Sequence, residues 1–366
     1  MMAKPDQSSD DLPQLQKKLN SIRTLISQSP HLTAIPSNYV FYEDSNTSLA
    51  SSEPDIPLPV IDFAFLTSNC STQRFQVIHQ LGQACHNWGF FMVINHGVSE
   101  DLVQRVIESC GEFFNMEEKD KVEFQGESVL DGIRFGTSFN AAVDKVLCWK
   151  DYLKVLVHPQ FNSPHTPASF REIAFDYCTK TRNVARKLLQ AISESLGLEP
   201  MYMDKALDLD KGLQVLAANY YPPCPQPDLA MGMTPHSDHG LLTLLVQNNI
   251  GGLQLQHGGK WVNVDAIPGA FLVNIGDHLE ILSNGRYKSV LHRAVVNNKS
   301  TRISIAMAHG PSLNAIVRPA AELLDDETNP AAYIGMRYKD YLQQQQSNPL
   351  DGKSGLDRVK IGVRPR

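Results

Sequence analysis

From Gly212 onward the chain is written as short apolar segments separated by turn residues, and this texture limits its fold more than any other feature. Residues 213–221, 241–247, 253–256, 261–264, 271–276, 292–296 and 302–309 each have strand length and the residue types strands favour. So many short strands at this spacing predict an all-β sandwich or barrel over residues 211–312.

Upstream, residues 55–210 read as mainly helical. Leu58-Pro59-Val60-Ile61-Asp62 has the character of a strand whose proline confines it to the start or the edge of a sheet. Phe75, Ile78, Leu81, Cys85 and Trp88 then recur at three- and four-residue steps, one face of a helix, and Gly89 sits where a C-cap belongs. Phe90 to Asn95 reads as a buried strand. Ser99 caps a second helix with Glu100 and Asp101 in its first turn and an apolar face from Leu102 to Phe114. A long helical pattern from about Phe170 to Leu196 stops at Gly197. Residues 1–54 are rich in Ser, Asp, Gln and Pro, with a weak helical pattern around Leu12, Leu15, Leu19 and Ile22, and read as a tail or lid outside the core. Residues 313–366, with a helical pattern from Tyr333 to Leu342, read as a C-terminal wrap.

Composition removes several classes of function. With 366 residues, 42% of them apolar, the chain can bury a large core. Its longest apolar runs, such as Phe90–Ile94, fall far short of the roughly 20 residues of a membrane-spanning helix. A formal charge of −6 lacks the basic excess that binding a phosphate backbone calls for. Neither end carries an apolar signal segment, and six cysteines without a C-x-x-C pair read as free thiols. The expectation is a cytoplasmic monomer with a small-molecule partner, bound to neither nucleic acid nor membrane.

Chemistry concentrates in the β-rich part. In His236-Ser237-Asp238 the first and third side chains share one face of an extended chain, and His292, in an apolar-rich segment, can supply a third ligand from a strand facing across the barrel. Two histidines and one carboxylate leave coordination positions open, the arrangement of non-haem Fe(II) oxygenases. Either histidine taken singly reads better as a polar strand residue than as a ligand. Arg302 and Ser304 share a face of another apolar strand, where a guanidinium needs an anion, either a ligand carboxylate or a protein Asp or Glu. Asn219 and Tyr221 also share a face and can hydrogen-bond an acidic ligand or brace the metal-site strand.

Several segments together resemble one family. Leu58-Pro-Val-Ile-Asp-Phe, Trp88-Gly-Phe-Phe-Met-Val-Ile-Asn-His-Gly, Asn219-Tyr-Tyr-Pro-Pro-Cys-Pro, Pro235-His-Ser-Asp-His-Gly, Asn274-Ile-Gly-Asp, Tyr287-Lys-Ser-Val-Leu-His-Arg-Ala and Arg302-Ile-Ser are similar, in order, to the plant 2-oxoglutarate- and Fe(II)-dependent dioxygenases. The resemblance implies an α+β fold, a double-stranded β-helix (jelly-roll, cupin-like) core with N-terminal and flanking α-helices. It implies His236, Asp238 and His292 as the catalytic iron ligands. Arg302 and Ser304 match positions that bind the distal carboxylate of 2-oxoglutarate, and Tyr221, with Asn219, a further co-substrate contact. The cofactors implied are Fe(II), 2-oxoglutarate and O2, with ascorbate as reductant.

The implied reaction couples oxidative decarboxylation of 2-oxoglutarate to hydroxylation, or desaturation, of a specialised plant metabolite such as a flavonoid, coumarin, alkaloid or terpenoid. Alternatives are a plant hormone oxidase of the same family and, more remotely, a non-oxidative metal-binding hydrolase or isomerase or a silent binding module. For the substrate, Phe135 resembles an aromatic pocket position, and Met307 and His309 continue the Arg302 strand where substrate contacts are expected. Ala217 stands where anthocyanidin- and flavonol-forming relatives carry a Lys, and Ala308 and Gly310 where they carry a Phe and a Glu, departures that argue against either of those activities. Three small residues predict room for a bulky, mostly apolar ligand. His239 is expected to face away from the iron, and His96, Trp88 and His278 to be structural.

Overall fold

The computed structural model describes residues 21–41, 57–138, 144–346 and 352–362. A short helix, α1 (Ile22–Gln28), leads into β1 (Val60–Asp62), α2 (Ser71–Asn87), β2 (Phe90–Ile94), α3 (Glu100–Asn115), β3 (Ile133–Thr137), β4 (Asp151–His158) and the long α4 (Phe170–Ser195). The β-rich part follows as β5 (Gln214–Tyr221), β6 (Met231–His236), β7 (Leu242–Gln247), β8 (Leu253–His257), β9 (Lys260–Asn263) and β10 (Phe271–Ile275). After a one-and-a-half-turn helix, α5 (Asp277–Leu282), come β11 (His292–Val295), β12 (Arg302–His309) and α6 (Tyr338–Gln346). An eight-stranded sheet in the order β1-β2-β10-β7-β12-β5-β4-β3 and a four-stranded sheet in the order β6-β11-β8-β9 make the jelly roll.

Alternation along β12 explains how the layers meet. Ile305 and Met307 are wholly buried in the core shared with α3 and α4, each worth roughly 1.5–3 kcal/mol of apolar burial. Their neighbours Arg302, Ser304, Ala306 and Ala308 point the other way, into a cavity that also receives residues of the smaller sheet. One strand thus holds the core with one face and the cavity with the other.

Helix ends match the residues that make them. Ser99 accepts a hydrogen bond from the Leu102 amide, and Gly89 and Gly197 take positive φ values of 62° and 80°. Phe75 departs from expectation at 71% exposure, because the buried stripe of α2 runs through Val77, Ile78, Leu81, Ala84 and Cys85 and Phe75 falls beyond its edge.

Part of the expected N-terminal tail is core. Ile22, Ile35 and Tyr39 are buried with Trp149 and Cys224, and the amides of Ile22 and Arg23 donate to the two oxygens of Asp151. Leu12, Leu15 and Leu19 lie outside the described residues. The C-terminal helix begins at Tyr338 and not at Tyr333, whose hydroxyl instead donates to the buried Glu280. All six cysteines are free, as expected, and no helix among the described residues is long and apolar enough to cross a membrane.

Candidate active site

The backbone brings two histidines together before any side chain is considered. His236 ends β6, His292 begins β11, and they are direct partners across this antiparallel pair, with ring centroids 4.2 Å apart. His292 is therefore a neighbour in the same sheet, not a group reaching across the barrel as the sequence had implied. Asp238 follows two residues after His236. Its Oδ1 lies 3.8 Å from His236 Nε2 and 3.7 Å from His292 Nε2. The three donor atoms all lie within 4.8 Å of one another, and no other His, Cys, Asp and Glu cluster among the described residues converges this way.

Each donor is oriented from behind. His236 Nδ1 lies 2.9 Å from the Thr234 carbonyl and His292 Nδ1 3.2 Å from the Val290 carbonyl. A carbonyl can only accept, so Nδ1 carries the proton and Nε2 presents its lone pair to the cavity. The outer oxygen of Asp238 accepts from the Thr243 hydroxyl and from Asn274 Nδ2 at 2.8 Å. Burial, with His292 alongside, pushes His236 down to about 3, so its ring is neutral. Burial alone would raise Asp238. The two imidazoles and the bonds from Thr243 and Asn274 outweigh it and hold the carboxyl well below its usual range. A neutral His236 and an ionised Asp238 are in the protonation states that binding a divalent ion requires.

Arg302 enters the same cavity from the larger sheet. It is 2% exposed, donates twice to Gln247 Oε1 at 3.1 and 2.7 Å and lies over the Tyr221 ring at 5.0 Å. Its Nη1 is 3.5 Å from Ser304 Oγ. Among the described residues no Asp or Glu forms an ion pair with it, so the protein supplies no anion for this guanidinium. Burial lowers its pKa without removing its charge. A buried uncompensated cation beside a two-histidine, one-carboxylate donor set fits a ferrous ion together with a carboxylic co-substrate. Asn219 Oδ1 accepts from Lys150 Nζ at 2.8 Å beside Tyr221.

Comparison with known proteins agrees with this geometry. Residues 212–311 match the model of the 2OG-Fe(II) oxygenase superfamily, and residues 58–174 match that of the non-haem dioxygenase in morphine synthesis N-terminal region. Rice (Oryza sativa subsp. japonica) 2-oxoglutarate-dependent dioxygenase 19 is 44% identical over 89% of this chain and 98% of its own length. The chain belongs to the 2-oxoglutarate- and Fe(II)-dependent dioxygenases. Rice flavanone 3-dioxygenase 2 is 39% identical over 91% of this dioxygenase and 96% of its own length. The crystal structure of JOX2 in complex with 2OG, Fe and JA superposes with a TM-score of 0.84 at 29% identity, covering 94% of this chain and 98% of that one.

Not every residue expected at the site of this dioxygenase is there. Ala217 and Ala308 line the cavity, but Phe135 does not. Its ring packs against Phe113 at 5.7 Å inside the core, because on β3 it is the neighbouring Arg134 that points inward. Met307 and His309 are likewise on the outer face of β12 and touch no part of the cavity. Nor does Gly310 leave room, since a side chain there would meet the Tyr338 hydroxyl at 2.3 Å. The lining is mostly apolar, as expected, but Arg134, Lys150 and Lys154 add cations to one wall.

His278 braces the site without joining it, and His239 lines the cavity but stands outside the donor set. The His278 ring sits between Tyr338 and Tyr341, with Nδ1 on the His239 carbonyl, and His239 Nδ1 lies 3.0 Å from the Tyr338 hydroxyl. His96 holds its turn through the Gly269 carbonyl, and Trp88 stacks on His257. Asn274 falls within a recognised motif and Thr243 just beyond another, but their roles in positioning Asp238 show only once β7 and β10 are seen side by side.

Proposed function

We propose that this dioxygenase hydroxylates a small plant metabolite, with His236, Asp238 and His292 holding the iron and Arg302, Ser304, Tyr221 and Asn219 holding 2-oxoglutarate. When bound, iron and 2-oxoglutarate together reduce dioxygen and supply the oxidant for a C–H bond, while the co-substrate becomes succinate and carbon dioxide. The protein's part is geometry and dryness. His236, Asp238 and His292 would hold the ion, and the cavity they face would receive co-substrate and oxygen. Arg302, held rigid by Gln247 and Tyr221, receives the far carboxylate in a fork that fixes the diacid's direction, and Ser304 adds a hydroxyl donor. Thr243 and Asn274 keep Asp238 ionised and aimed.

The observation that carries this reading is the buried Arg302, uncompensated by any described carboxylate, in the cavity that also holds the triad. The likeness to flavanone 3-dioxygenase 2 favours a specialised metabolite of flavonoid size. A second reading, oxidation of a plant hormone, is favoured by the likeness to JOX2, which was solved with JA bound. Six unpaired cysteines support a reducing compartment such as the cytosol. The test is succinate release from 2-oxoglutarate with Fe(II) and ascorbate across a panel of flavonoids, coumarins, alkaloids, terpenoids and hormone acids. Succinate formed in step with a hydroxylated product is the expected result. Product formed without 2-oxoglutarate would overturn it.

A further inference from the structure

One wall of the cavity carries cations that co-substrate binding does not use. Arg134 on β3 stands directly opposite Lys154 on β4, and Lys154 in turn stands opposite Ala217 on β5. Lys150 lies four residues before Lys154, and all three cations line the cavity. Tyr152 gathers the pair: its hydroxyl bonds Arg134, and its ring lies 5.3 Å from Lys154 Nζ. Ala217 thus faces a lysine on the neighbouring strand, and its small side chain leaves that lysine's wall open to the cavity.

Like charges directly opposite on paired strands destabilise a sheet, and burial raises the cost. Lys154 shows the strain, since burial first and then Arg134 and Lys150 push it down to about 7. Arg134 Nε is buried with no hydrogen-bond partner among the described residues. The acid on this wall, Asp131, is committed to its own turn, where Oδ2 accepts from the amides of Glu127 and Ser128 at 2.6 and 2.7 Å. Asp238 belongs to the metal set. Around the cations the lining is apolar, with Val129, Leu156, Leu213, Val215 and Leu342.

Position separates this cluster from Arg302. Arg302 is paired with Tyr221 and Lys154 with Ala217, four residues apart on β5, or about 13 Å along the strand. The two groups of cations therefore stand at different levels of the cavity wall, Arg302 beside Tyr221 and Lys154 beside Ala217.

We propose that the substrate is an organic acid with an apolar body, its carboxylate held by Arg134 and Lys154 and its body laid along the apolar lining toward the triad. The inference rests on the dioxygenase reading above and narrows it to a class of substrate.

The experiment is calorimetric binding to the full chain loaded with Mn(II) and 2-oxoglutarate, so that no turnover occurs. The probes are a panel of aromatic and alicyclic monocarboxylic acids, each paired with its methyl ester. We expect at least one acid to bind roughly tenfold or more tighter than its ester, the worth of a charge-assisted hydrogen bond. Arg134→Gln and Lys154→Met should each abolish that preference, and Lys154→Arg should restore most of it. The proposal is overturned if no acid outbinds its ester, or if Arg134→Gln and Lys154→Met keep the full preference while still binding 2-oxoglutarate. A wild-type protein that binds Mn(II) but not 2-oxoglutarate would instead refute the co-substrate site, a separate failure.

Discussion

His236 and His292 face one another as direct cross-strand partners, so the antiparallel pairing of β6 with β11 itself sets the spacing of two metal donors. Placing donors by backbone register makes the site as rigid as the sheet. His236→Ala or His292→Ala should therefore abolish iron binding and turnover while leaving the fold intact. Metal content of the purified variants together with succinate release checks this. Full iron occupancy in either variant would remove that histidine from the ligand set.

Asp238 depends on the two groups behind it. Asn274→Ala or Thr243→Val leaves the three donors in place but frees the carboxylate to rotate and raises its pKa. Loss of such a partner is expected to cost roughly 10–100-fold in metal affinity or activity. Iron titration of each variant measures it, and unchanged affinity in both would show that the carboxylate needs no support.

Arg302 is expected to act on the co-substrate and on little else. Arg302→Ala should raise the apparent KM for 2-oxoglutarate by roughly 100-fold, the cost of leaving a buried carboxylate unpaired. Arg302→Lys keeps the charge without the fork and should fall between the two. An unchanged KM in the alanine variant would refute the assignment.

Much of this was legible in the sequence, for reasons that can be named. Period-two alternation in residues 302–309 and period-3.6 alternation in residues 100–115 are imposed by burial on one face, so the elements could be read without coordinates. The His236, Asp238 and His292 set was legible because its chemistry needs those residue types at that spacing. What failed was orientation. Phe135 and His309 each sit one residue from a cavity-lining position, and in a strand one residue reverses the side chain. Strand β6, Met-Gly-Met-Thr-Pro-His, was missed because its glycine and proline argue against a strand, and it is indeed irregularly paired. Lys150, just before β4, and Lys154 within it carried no signal in the sequence reading, yet both line the cavity.

Acid should destabilise the protein through histidines kept neutral by burial. His278 and His309 are held at about 3 and His239 at about 4, all below the 6.5 of a free imidazole. The unfolded chain therefore binds more protons than the native one below pH 6.5. Stability is fully present above that pH and falls as the pH drops, by up to about 1.4 kcal/mol per unit for each group. Asp277, raised to about 6 by burial, works the other way between pH 4 and 6. Urea midpoints at pH 7.5 and 5.5 should fall with acid in the wild type and fall less in His309→Gln. Equal losses in the two proteins would show that His309 is not held neutral.

A crystal grown without oxygen in Mn(II) and 2-oxoglutarate would test the whole arrangement at once. The account predicts one metal ion bonded to His236 Nε2, Asp238 Oδ1 and His292 Nε2, with the far carboxylate of 2-oxoglutarate on the Arg302 guanidinium. A metal bound by any other set of side chains, or a co-substrate lying away from Arg302, would contradict it.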